Sequence, residues 1–80
     1  MSKLITLYDN ETSSYFRETF TYESCINFLI GSLKENDELK QSKLLEKNYK
    51  ENKNNLTDET MVKLLSLTDN RHLDYRFGGV

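Results

Sequence analysis

The sequence predicts a small α+β domain of order β-β-α-α-α-β, in which an N-terminal hairpin and a C-terminal strand form one antiparallel sheet packed by helices. Three observations carry this. Two short runs rich in β-branched and aromatic residues flank a polar cluster near the start. The apolar spacing changes to a helical one at Ser24, and alternation returns after Asn70.

Lys3-Leu4-Ile5-Thr6-Leu7-Tyr8 reads as the first strand, and Asp9 to Ser14 is a cluster of the polar residues that close turns with their own side chains. From Tyr15 to Tyr22 the period is two. Phe16, Phe20 and Tyr22 share one face with Glu18 interrupting, while Arg17, Thr19 and Thr21 share the other.

A helix over about residues 23 to 34 follows. Tyr22, Cys25, Ile26, Leu29, Ile30 and Leu33 lie on one side, Gly31 lies on the polar side, and Thr21 or Ser24 can supply the N-cap oxygen. Lys34 to Asp37 is a break or a cap, with the alternative that the first two helices are continuous. A weakly amphipathic helix over 37 to 51 comes next, with Leu45 and Tyr49 on one side and Leu39 and Leu44 on its flanks.

Leu56-Thr57-Asp58-Glu59-Thr60-Met61 is the sharpest local signal. Thr57 caps, two carboxylates favour the first turn, and Leu56 can staple to Met61. This helix, running to about Thr68, is expected to bury Met61, Val62, Leu64 and Leu65. Leu73, Tyr75 and Phe77 then alternate with His72, Asp74 and Arg76, a final strand whose first set should face the helices.

Eighty residues make one domain, 1–80, with no repeat or internal boundary. A chain of this size buries only roughly 60% of its unfolded surface, which leaves little room for a deep cleft. One cysteine, Cys25, excludes an internal disulfide, and with His72 alone it makes no zinc set. Cys25 reads as a small buried residue. No run could cross a bilayer and the start lacks a signal-peptide pattern, so a soluble cytoplasmic protein without cofactor or membrane partner is expected.

Eleven basic and thirteen acidic side chains give a net charge of −2, too acidic for a general nucleic-acid binder and too mild for a mimic of DNA. The chain contains no alanine or proline and only three glycines and three arginines, against eight lysines and eight asparagines. These are the preferences of AT-rich codons, as in low-GC bacteria and their phages and plasmids.

Signals of catalysis are sparse. His72 and Asp74 can share a strand face, but no nucleophile, phosphate loop or metal spacing accompanies them. Lys40, Lys43, Lys47 and Lys50 fall within about 80° of one helical face, a spacing able to track phosphates but equally that of a solvated face diluted by Glu38, Glu46 and Glu51. The last helix and strand also suggest a winged helix-turn-helix, although its recognition helix would carry two acids and only Lys63.

Aromatic residues on the strands outnumber what one face of a small sheet needs, and Tyr15 falls opposite the core with Arg17. Tyr15, Arg17, Tyr75 and Arg76 are therefore the residues expected to meet a partner, tyrosine and arginine being enriched at interface hot spots. The expected function is a non-enzymatic protein-binding module, an accessory protein of an AT-rich phage or mobile element that binds and inhibits or redirects a host protein such as a defence nuclease or a replication or transcription factor. The alternative is a winged-helix-like DNA-binding regulator using Lys40, Lys43, Lys47 and Lys50. A homodimer is compatible with a sheet whose edges are open.

Overall fold

The computed structural model of the chain describes residues 3–9, 17–68 and 73–78. It contains β1 (Leu4–Asp9), β2 (Arg17–Thr21), α1 (Tyr22–Glu35), α2 (Leu39–Asn52), α3 (Asp58–Ser66) and β3 (Leu73–Phe77), the expected order. The sheet is antiparallel with strand order β2-β1-β3. β1 lies at the centre, and its Ile5 and Leu7 are the most deeply buried apolar strand residues described.

Cross-strand rows define two faces. Phe20-Ile5-Phe77 and Glu18-Leu7-Tyr75 share the helix side, while Thr19-Thr6-Arg76 and Arg17-Tyr8-Asp74 share the other. Ile5 and Leu7 share one buried core with Cys25, Ile26, Leu29, Ile30 and Leu33 of α1, Leu45 and Tyr49 of α2, and Met61, Leu64 and Leu65 of α3. The protein is 16 Å across its thinnest axis, as expected for one sheet and one helical layer.

Local chemistry sets the starts of α1 and α3, while α2 begins at Leu39 rather than at Asp37 and has no side-chain cap. β2 gives way to α1 at Thr21, where the backbone is extended and the side-chain oxygen accepts the Ser24 N–H at 3.2 Å; of the two possible caps the structure uses Thr21. Thr57 does the same for the Thr60 N–H, and Leu56 packs on the core beside Met61.

α1 and α2 are separate helices. The Glu38 N–H donates to the Leu33 carbonyl at 2.8 Å and the Asp37 N–H to Lys34 at 3.2 Å, the two bonds of a Schellman ending. Asp37 occupies the left-handed position with φ 60°, where a side chain is strained. Asp37→Gly is therefore expected to raise stability by about 0.5–1 kcal/mol, read as a higher denaturant midpoint with unchanged slope.

Two packing expectations need correction. Val62 is 43% exposed, because it lies about 100° round α3 from Met61, off the side that packs on α1 and α2. Tyr75 is on the helix side as expected but remains 39% exposed, since the helical layer stops short of the β3 edge; Phe77, nearer the middle, is half-buried with its ring 5.9 Å from that of Tyr22. Tyr15, Phe16 and His72, and the side chain of Leu73, lie outside what the structure describes.

Candidate functional site: the open face of the sheet

None of the three described helices covers the sheet face that carries Leu4, Thr6 and Tyr8. Its interior is nonetheless dry at one point: Thr6 is only 2% exposed. Its hydroxyl lies 3.0 Å from the Gly78 carbonyl and 2.9 Å from the Thr19 hydroxyl. Thr6 has one hydroxyl proton, which goes to Gly78, so Thr19 donates to Thr6. This chain of bonds ties all three strands together beneath the face and fixes the side chains around it.

Arg17 and Arg76 stand at diagonal positions about that point, Arg17 across from Tyr8 and Arg76 across from Thr6. Both are exposed, and neither forms a salt bridge among the described residues. Asp74 shares the face, opposite Tyr8, and is engaged within the chain. The geometry thus brings together Arg17 and Arg76 of the expected partner-binding set. It separates Tyr75, which points to the helix side and packs edge-on against Phe77 at 5.6 Å, and Tyr15 lies outside the described residues. Tyr8 belongs to the face although its sequence gave only a strand; the alternation Leu4-Thr6-Tyr8 against Ile5-Leu7 is the signal that places it there.

Lys40, Lys43, Lys47 and Lys50 are all exposed on the side of α2 opposite Ser42, Leu45 and Tyr49, and Lys50 pairs with Glu46 at 3.5 Å. An exposed pair of this kind contributes little. Between α2 and α3 an open groove of about 320 Å³ is lined by Asn48, Asn52, Thr60, Lys63 and Leu67. Among the described residues no cluster of three His, Cys, Asp or Glu is arranged to hold a metal, and no helix is long and apolar enough to cross a membrane.

A charge-assisted contact joins the starts of α1 and α3. The Tyr22 hydroxyl donates to Asp58 Oδ1 at 2.6 Å, and Lys3 Nζ approaches the same oxygen at 3.5 Å. The hydrogen bond from Tyr22 holds the Asp58 carboxyl below its usual range, with Lys3 acting in the same direction. Burial first, and the Asp58 carboxylate second, push the Tyr22 phenol up to about 12, and burial pushes the Cys25 thiol up to about 12. Nothing local announces the contact, because the partners are 36 residues apart.

A pH dependence follows. Tyr22 and Cys25 hold their protons more tightly folded than unfolded, so their contributions are complete below the unfolded values of 10.0 and 9.0 respectively and are lost as pH rises through about 12. Asp58 acts oppositely: its contribution is present above roughly pH 4 and fades as pH falls through its lowered folded value. Denaturant midpoints should accordingly fall steadily between roughly pH 9 and 12, and Tyr22→Phe should flatten the upper part of that fall. An unchanged profile in Tyr22→Phe would remove Tyr22 from the account.

No protein family, curated protein or solved structure matches this chain, so the arrangement of the open face is what there is to reason from.

Proposed function

We propose that this protein is a non-enzymatic protein-binding module whose recognition surface is the open face of the sheet, serving an AT-rich phage or other mobile element by engaging a host protein in the cytoplasm. The observation that carries the binding part is the pair of exposed arginines, Arg17 and Arg76, without ion-pair partners among the described residues, around the buried Thr6-Thr19-Gly78 bonds. A face already held rigid loses little freedom on association, and arginine supplies a planar, multidentate donor to acidic or carbonyl-rich surfaces. The mobile-element part rests on composition: no alanine or proline, and abundant lysine and asparagine.

The test is capture from a low-GC bacterial lysate by the wild type, Arg17→Glu and Lys43→Glu side by side. The expected result is one defined protein held by the wild type and Lys43→Glu and lost from Arg17→Glu. Capture of nothing above background, or equal capture by Arg17→Glu, would overturn the reading.

The DNA-binding alternative has one observation in its favour, the exposure of all four lysines on one side of α2. Against it, α3 presents Asp58 and Glu59 at its start and buries Met61, Leu64 and Leu65. It requires duplex retention in mobility shifts at low salt that falls steeply as salt rises.

A further inference from the structure

We propose that the free edge of β3 is a self-association edge, on which two copies of this chain pair antiparallel about a twofold axis through Tyr75 to make one six-stranded sheet. The proposal goes beyond the binding reading above: its seam is the edge of the sheet, although it also engages Arg76 of the open face.

Ladder parity comes first. The Gly78 N–H donates to the Leu4 carbonyl at 2.7 Å, and these two residues are opposite each other in the β1-β3 register. In an antiparallel pair, opposed residues alternate between those that exchange bonds and those that do not. Positions 74, 76 and 78 therefore bond towards β1, and positions 73, 75 and 77 turn their N–H and C=O groups to the outside. Among the described elements β1 alone packs along β3, so none of them covers this row of donors and acceptors.

Register comes second. Symmetric antiparallel pairing places one outward-bonding residue opposite its own copy, and only Tyr75 as that residue uses the whole of β3. It sets Asp74 opposite the partner's Arg76 and Arg76 opposite the partner's Asp74. Both are positions that exchange no backbone bonds across the new seam, where side chains of an antiparallel pair come closest. The strand is thus complementary in charge to its own reverse. Asp74 is already engaged within its chain, but a carboxylate has acceptor sites for a second donor. Tyr75, 39% exposed at this rim, meets its own copy on the helix side, a favourable aromatic cross-strand pair. The opposite edge offers nothing comparable: β2 paired with itself about Thr19 sets Glu18 against Phe20 and Arg17 against Thr21.

Sedimentation of the full chain from micromolar to millimolar concentration tests the proposal. The wild type is expected to shift from monomer to dimer over this range. Asp74→Arg and Arg76→Asp, each of which opposes like charges twice, should weaken association by about tenfold, and the double exchange should restore it to within about threefold. Thermal melts of each variant at low concentration separate lost association from lost folding. A readout on the unmodified chain accompanies them: amide exchange at positions 75 and 77 should slow with concentration, while that at Thr19 and Thr21 does not. A wild type that stays monomeric throughout, a dimer indifferent to both single reversals, or concentration-dependent protection at Thr19 instead of Tyr75 would each overturn the proposal.

Discussion

Removal of residues 71–80 is expected to unfold the protein rather than shorten it. β1 is flanked on both sides, and β3 meets it at five positions from Ile5 to Asp9. Without β3 the bonding groups of Leu4, Thr6 and Tyr8 face water, the Thr6 hydroxyl loses the Gly78 carbonyl, and the Phe77 ring no longer covers Tyr22 and Ile5. What remains is a two-stranded ribbon, marginal by itself and dependent wholly on the helices for support. A domain of eighty residues has roughly 4–12 kcal/mol of stability in total, and losing one of three strands exceeds it.

Single substitutions along β3 should divide sharply. Phe77→Ala, at a half-buried site, is expected to cost about 1.5–3 kcal/mol, or a fall in Tm of roughly 6–24 °C for a domain of this size. Tyr75→Ala and Arg76→Ala, both exposed, should cost less than about 1 kcal/mol when measured at low micromolar concentration. A cooperative melt at wild-type temperature for the 71–80 deletion would remove β3 from the fold. Equal losses for Phe77→Ala and Tyr75→Ala would show instead that the helical layer reaches the edge.

The second large effect is expected in α2. This helix buries only Ser42, Leu45 and Tyr49, and Leu45 is fully enclosed while Tyr49 sits at its margin. Leu45→Ala should therefore cost about 2–5 kcal/mol, most of it because the neighbours on α1 and α3 are too well anchored to collapse into the space. Leu44→Ala is the matched control. Its neighbouring side chain is 46% exposed, so the same chemical change should fall within about 0.5 kcal/mol of the wild type. Urea midpoints for the two variants check this, and similar values for both would mean that α2 is rotated from its observed face. Ser42, fully buried, donates to the Ile30 carbonyl at 3.3 Å and supports the same orientation.

Much of the fold follows from local rules that need no partner. Thr21 and Thr57 cap because a side-chain oxygen three residues ahead of an N–H satisfies it wherever the chain is placed. The alternation of Ile5 and Leu7 with Thr6, and the helical spacing of Cys25, Ile26, Leu29, Ile30 and Leu33, show which faces go inside. The sequence also carried Leu45 and Tyr49 as the inner side of α2 and the lysines as its outer side. These are statements about one element at a time, and there the sequence by itself was sufficient.

The tertiary structure decided how far each element reaches over its neighbour. Alternation put Tyr75 and Phe77 on one face, but only the width of the helical layer makes Phe77 part of the core and leaves Tyr75 at the rim. Val62 was apolar and next to Met61, yet α3 turns it outward because α1 and α2 occupy a single arc of its circumference. The break between α1 and α2 depended on whether Asp37 would accept a left-handed backbone, a cost repaid only once Ser42 and Leu45 can pack back on α1. The Tyr22-Asp58 bond and the gathering of Arg17, Tyr8 and Arg76 on one open face join residues far apart in the chain. Such pairings leave no periodic trace, because their geometry is set by the order β2-β1-β3 and not by any local spacing.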